Sequence, residues 1–132
     1  MATIKYMIKL VWKDWKNDVD RDKRMGFDKR YKKLDFKGAK MLIYLTGDQV
    51  IKGINTVTGT FEDGMVFPVW ERHTAVVPVT LDYEAEIGLN IFEIRRVLPD
   101  FNPNEGDSFY KISEDQYTKL ESMLKAKPMR AN

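Results

Sequence analysis

The residues in this chain most able to do chemistry are aromatic rings set beside positive charge. Trp12, Trp15, Phe27, Tyr31, Tyr44, Phe61, Phe67 and Trp70 are interleaved with Lys13, Lys16, Lys29, Arg30, Lys32, Lys33, Arg72 and His73. An unstacked base needs a flat π-face to lie on, and its flanking phosphates need cations, so the two residue types together point to nucleic acid. Some of these rings must instead build the interior. Tyr44, Phe61 and one of Trp12 or Trp15 are expected in the core, because large aromatics dominate small cores. Phe67 and Trp70 sit in a proline-containing stretch without helical or strand period, which leaves them as recognition candidates. His73 reads equally well as a loop histidine and as a contact.

Other chemistries are excluded by what is missing. There is no cysteine and one histidine, so zinc clusters, thiolate nucleophiles, disulfide frameworks and histidine-based triads cannot be assembled. Ser108, Ser113 and Ser122 lie outside any Gly-x-Ser-x-Gly elbow. Asp18, Asp20 and Asp22 have calcium-loop spacing but lack the glycine and the closing glutamate. Gly47, Gly53 and Gly59 are too dispersed for a Walker loop or a dinucleotide fingerprint. The expectation is a protein without enzymatic activity, metal or cofactor.

The elements that must position these residues can be read from periodicity. Ile4, Tyr6, Ile8 and Leu10 alternate with Lys5, Met7 and Lys9, the pattern of a half-buried strand over Thr3 to Val11. Trp12 to Val19 has the spacing of a short amphipathic helix, and Met25 to Gly38 reads as a long basic connection. Strands are expected over 41–45 and 50–61, with a turn at Thr46 to Gln49. Gly53 and Gly59 inside the second strand suggest bulges or a close backbone approach. A further strand runs from Thr74 to Tyr83, where Pro78 implies an edge or a bulge. Asn90 caps a helix that Pro99 stops, and a short strand near 108–112 leads into the clearest local signal. Ser113-Glu-Asp-Gln116 is a capping box, flanked by Ile112 and Tyr117 as a hydrophobic staple, and it starts a helix from Glu114 to about Leu124.

A chain of 132 residues and 43% hydrophobic composition fits one domain, here 1–124, followed by a polar tail or linker over 125–132. The predicted class is α+β: a small, strongly bent sheet or partial β-barrel flanked by helices. Net charge of +2 conceals an asymmetry. The first 40 residues hold 13 Lys/Arg against 6 Asp/Glu, and the remainder holds 9 against 14. Such a split suits a polyanion-facing surface built by the first third. No apolar run approaches the roughly 20 residues of a membrane span, and the lysines inside Met1 to Leu10 argue against a signal peptide or anchor. No membrane partner and a cytoplasmic location are expected.

In order along the chain, Ile4-Lys-Tyr6-Met-Ile8, Trp12/Trp15, Met25-Gly26-Phe27, Lys37-Gly38-Ala-Lys-Met-Leu-Ile43-Tyr44, Val50-Ile-Lys-Gly53-Ile-Asn-Thr-Val57-Thr-Gly-Thr-Phe61 and Phe109-Tyr-Lys-Ile112-Ser113-Glu-Asp-Gln-Tyr117-x-x-Leu120 resemble an EVE domain. EVE domains belong to the PUA-like superfamily, with YTH and ASCH domains as relatives. Gly53-Ile54-x-x-Val57 keeps the family pattern, whereas Phe36-Lys37-Gly38-Ala39-Lys40 lacks the family's proline and aspartate. The resemblance implies a PUA-like barrel that holds a modified or flipped base in an aromatic cage beside a basic groove. By position, Phe27 and Trp70 (or Phe67) would be cage walls, Trp12 or Trp15 would supply a further ring, and Val11 to Asp14 would touch the base edge. Met25-Gly26-Phe27 departs from the family's first cage tryptophan. Lys13, Lys29, Arg30, Lys32, Lys33, Arg72 and His73 would meet the nucleic-acid backbone. Such modules also serve as specificity domains of modification-dependent restriction nucleases, which implies other domains of a larger nuclease as partners. The partner is DNA or RNA on this reading. The alternative is a small-molecule or protein-interaction module on the same barrel, with the lysines solubilising it.

Overall fold

The computed structural model describes residues 3–11, 15, 23–62, 75–103 and 109–127. Six strands form one sheet: β1 (Tyr6–Val11), β2 (Arg24–Phe27), β3 (Lys40–Leu45), β4 (Val50–Val57), β5 (Ala75–Asn90) and β6 (Phe109–Lys111). Their spatial order is β2-β5-β4-β3-β1-β6. β1 runs parallel to β3, and every other pair is antiparallel. Two helices complete the fold, α1 (Ile91–Ile94) and α2 (Glu114–Lys125).

Strand alternation sorts the side chains into two cores, because successive residues point to opposite faces of a sheet. On the outer face Ile8, Leu10, Leu42, Tyr44, Ile51, Ile54, Ala85 and Leu89 pack under α1 and α2, which contribute Ile91, Ile94, Tyr117, Leu120 and Leu124. On the inner face Met7, Met41, Ile43, Leu45, Val57, Val77 and Val79 gather with Met25, Phe27, Phe36 and Trp15. The sheet curls around this second core. Phe27 on edge strand β2 meets Phe109 on the opposite edge strand β6 at 5.9 Å between ring centroids, and Phe36 lies 4.7 Å from Phe27 and 5.4 Å from Phe109. A seam of aromatic rings therefore closes what hydrogen bonds leave open, giving a half-barrel.

β1 is thus buried on both faces, unlike the half-buried strand its alternation predicts: Met7 is fully enclosed and Lys9 is 2% exposed. The expected long connection over 25–38 instead contains β2 and a 3-10 turn over Lys29–Lys33, whose start is capped by Asp28 Oδ1 accepting from the Arg30 N–H. β4 ends at Val57, four residues before the predicted Phe61. β5 continues to Asn90 and lies between β2 and β4, so Pro78 is on an internal strand and not an edge. It is tolerated because the β4 ladder ends one residue away, at Val57 opposite Val79. The helix at Asn90 is a single turn with a complete capping box. Ser113 caps α2 through its Gln116 partner as the sequence requires, and Ile112 and Tyr117 are both buried in the outer core. The amphipathic helix expected over Trp12 to Val19 lies, except for Trp15, outside the described residues. No helix among the described residues is long and apolar enough to cross a membrane.

Candidate binding site on the inner face

The inner core is apolar apart from two side chains. Lys9 on β1 lies between Ile43 of β3 and Phe109 of β6, and Asn55 on β4 lies between Met41 of β3 and Leu81 of β5. They are the only buried polar or charged residues among the described ones. Lys9 crosses the interior toward the seam: its Nζ sits 4.7 Å from the centroid of Phe27 and donates to the Leu10 carbonyl at 3.3 Å. Burial lowers its pKa from the ordinary 10.5 to about 7, since a low-dielectric interior disfavours the charged form. The Phe27 ring face offsets part of that cost through its quadrupole.

Asn55 is completely buried, and neither Nδ2 nor Oδ1 has a hydrogen-bond partner among the described residues. Such a group costs of order 1 to 3 kcal/mol, which native structures rarely leave without a reason.

Trp15 completes the arrangement. Its indole rests on Gly53, two residues before Asn55 on the same face of β4, and a Cβ at Gly53 would lie 3.0 Å from Cη2 of that ring and 3.1 Å from the Tyr83 carbonyl oxygen. Glycine at this bulged position is what lets the indole reach the sheet. An aromatic ring, a carboxamide and a cation thus share one enclosed face.

Beside the seam, Lys32, Leu34, Asp35, Phe36, Thr60, Phe61 and Val77 line an open cleft of about 270 Å³. The 3-10 turn at its rim is strongly basic. Arg30 and Lys32 are exposed, as is Lys33, and Arg30 lies over the Tyr31 ring at 4.9 Å while its Nη2 donates to the Tyr31 hydroxyl at 2.9 Å.

The sequence-predicted residues fall into three groups. Trp15 is brought to the inner face, Lys32 lines the cleft, and Arg30 and Lys33 are exposed on the same 3-10 turn. Phe27, expected as a cage wall, is a core residue: it is fully buried, with Phe36, Phe61 and Phe109 around it and Lys9 over its ring. Trp12, Lys13, Phe67, Trp70, Arg72, His73 and the side chain of Lys29 lie outside the described residues. Lys9 and Asn55 were not singled out from sequence, because polar residues in an alternating strand read as facing solvent.

One Lys/Thr/Asp constellation exists on the outer face. Lys40 Nζ donates to Thr56 Oγ1 at 2.8 Å, Thr56 Oγ1 donates to Asp82 Oδ2, and Thr80 donates to Asp82 Oδ1 at 3.0 Å. It is open to water, with the Lys40 and Asp82 side chains 42% and 36% exposed.

No family model and no curated protein sequence matches the chain. Solved structures match it in shape. The YTH domain of Pho92, in complex with m6A, superimposes with a TM-score of 0.71 at 9% identity, over 96% of this chain and 87% of that one. The YTH domain of Mmi1, in complex with RNA, gives 0.67 at 13% identity over 94% and 79%. A variant of the ASCH protein from Zymomonas mobilis gives 0.66 at 14% identity over 93% and 99%. At such identities the likeness is one of fold. The chain has the α+β, PUA-like fold of ASCH and YTH domains, a curled six-stranded half-barrel with two helices.

Proposed function

We propose that this chain is an EVE-type, PUA-like domain that binds nucleic acid by taking an unstacked, modified base against Trp15 on the inner face, without catalysing a reaction. The observation that carries this reading is the enclosed face itself: an indole seated on Gly53 beside a buried carboxamide whose two polar atoms lack partners among the described residues. It is supported by the fold shared with two YTH domains solved with RNA and with m6A. Stacking on one aromatic face contributes roughly 1 to 3 kcal/mol per base, and the basic 3-10 turn at Lys29–Lys33 supplies phosphate attraction without sequence preference. Single-stranded targets are favoured, because a base inside a duplex must first be flipped at a cost of a few kcal/mol. On the same reading the domain serves as the specificity module of a modification-dependent restriction system, with a nuclease domain as partner. The outer-face Lys40, Thr56 and Asp82, joined to one another by hydrogen bonds, are assigned no chemistry on this reading.

The test is a binding array of single- and double-stranded DNA and RNA, with and without methylated bases, at two salt concentrations. The reading expects preference for unpaired, modified bases and affinity that falls steeply with salt. Failure to bind any member would overturn it.

A further inference from the structure

The open cleft beside the seam brings an aromatic ring, a carboxylate and a cation to one place on the surface. Phe61 lines it and is half-buried, packed on Phe27 and Phe36 at 6.0 and 5.5 Å between centroids, so that part of its ring still faces the cleft. Lys32 lines it from the basic 3-10 turn, which also carries the exposed Arg30 and Lys33. Asp35 lines it as well, half-buried and firmly placed: its carbonyl accepts from the Ile4 N–H at 3.0 Å and its Oδ1 from the Lys37 N–H at 3.0 Å. Oδ2 has no hydrogen-bond or ion-pair partner among the described residues. A pocket for phosphate alone would not carry a carboxylate, because like charges repel. At about 270 Å³ the cleft falls just under the roughly 300 Å³ at which drug-sized pockets begin, which suits one flat heterocycle.

We infer that this cleft takes one unpaired guanine, its ring against Phe61 and its pairing edge on Asp35, with the adjoining phosphate toward Lys32 and the 3-10 turn. This rests on the nucleic-acid reading above and adds to it a subsite outside the inner core. A carboxylate only accepts hydrogen bonds, and its two oxygens lie side by side, each with room for a further donor. Guanine is the one standard base whose pairing edge carries two adjacent donors, N1–H and the N2 amine, so it can meet both oxygens at once. Adenine and cytosine present a donor beside an acceptor nitrogen, and uracil or thymine a single N–H between two carbonyls. Each of these sets a lone pair against the carboxylate. In a duplex the donor edge of guanine is already taken by cytosine, so a single strand or loop must deliver it.

Two measurements test this. In the first, wild-type protein is titrated with short single strands of uridine that hold one central N6-methyladenine and, at each other position in turn, one guanine, hypoxanthine or 1-methylguanine. At one position guanine should tighten binding roughly 10-fold over uridine, and hypoxanthine, which lacks the N2 amine, or 1-methylguanine should lose most of that gain. In the second, Asp35→Asn keeps an oxygen for the Lys37 N–H and puts an amine where the second acceptor stood. The variant should melt near the wild-type temperature, bind the guanine-free strand at least as well as wild type, and show no guanine preference. Equal affinity for guanine and uridine at every position overturns the inference, as does equal affinity for guanine and hypoxanthine, or an Asp35→Asn protein that keeps the preference. Because the first measurement needs no variant, a poorly folding Asp35→Asn does not shield the inference. A wild type that binds all the strands alike loses this subsite and keeps the nucleic-acid reading, whereas one that binds no strand overturns that reading and the subsite with it.

Discussion

Replacing Lys9 by methionine should make the protein more stable and remove a pH dependence that the wild type carries. Lys9 is 2% exposed, and burial brings its pKa from 10.5 to about 7. In the unfolded chain the amine keeps its ordinary pKa, so between about pH 7 and pH 10.5 the unfolded state binds one more proton than the folded state. Stability therefore rises with pH across that window. The penalty is complete below about pH 7, where the folded protein must hold a buried charge, and it vanishes above 10.5, where both states are neutral. The separation of the two values corresponds to about 5 kcal/mol, acquired at a little over 1 kcal/mol per pH unit. Lys9→Met keeps the unbranched stem among Met7, Ile43 and Phe109 and has nothing to titrate. Chemical denaturation of both proteins at about pH 7, 8 and 9 checks this, because the other titrating groups cancel in the difference between them. The gap should be largest, at several kcal/mol, near pH 7 and should narrow by roughly one proton's slope per unit. Parallel stability profiles would refute the reasoning, and a less stable Lys9→Met at pH 7 would show that the ammonium's contacts outweigh its desolvation.

Phe27→Ala should cost about 3 to 5 kcal/mol, seen as a large loss in denaturation midpoint, because the ring joins both edges of the sheet through Phe36 and Phe109. A mild loss of stability with abolished binding would restore it as a cage wall. Gly53→Ala puts a methyl 3.0 Å from the Trp15 ring and 3.1 Å from the Tyr83 carbonyl. The indole should be displaced, with a red-shifted tryptophan emission and weakened nucleic-acid binding; an unchanged spectrum would contradict the seat described for Trp15. Ser113→Ala removes the hydroxyl that accepts from the Gln116 N–H at 3.1 Å. It should lower stability by about 1 kcal/mol in urea denaturation without altering binding, since α2 covers the outer core.

Elements with strong local chemistry were legible in the sequence, and those defined by their partners were not. The capping box at Ser113 and the alternation over Ile4 to Leu10 depend only on neighbours in the chain; α2 starts where expected, and β1 falls within the expected Thr3 to Val11. β2 is four residues, Arg24–Phe27, too short to show a period, and exists because β5 pairs with it. The second half of β5 alternates Asp82, Glu84 and Glu86 with Tyr83, Ala85 and Ile87, a strand period that runs past the expected end at Tyr83. Alternation also separates two faces of a strand without saying what covers the second one. That is why Lys9 and Asn55 read as ordinary polar residues although the curled sheet encloses them. Phe27 misled for the converse reason: beside so much charge its ring suggested recognition, and the aromatic seam that buries it joins residues far apart in the chain. Trp15 fits the expectation that one of Trp12 or Trp15 belongs to the core, since it is buried in the inner cluster. The Gly53 pattern, carried by the resemblance to EVE domains, gains its physical meaning as the place where that ring meets the sheet.

The central claim, that a base lies against Trp15 on the inner face, is tested most directly by nitrogen-15 NMR of the wild-type protein, with the Trp15 indole N–H resonance assigned by its loss in Trp15→Phe. During titration with a single-stranded RNA carrying one N6-methyladenine, that resonance should shift with the same affinity as the bulk binding signal, at low and at physiological salt. RNA that binds while the Trp15 resonance stays unmoved would contradict the claim.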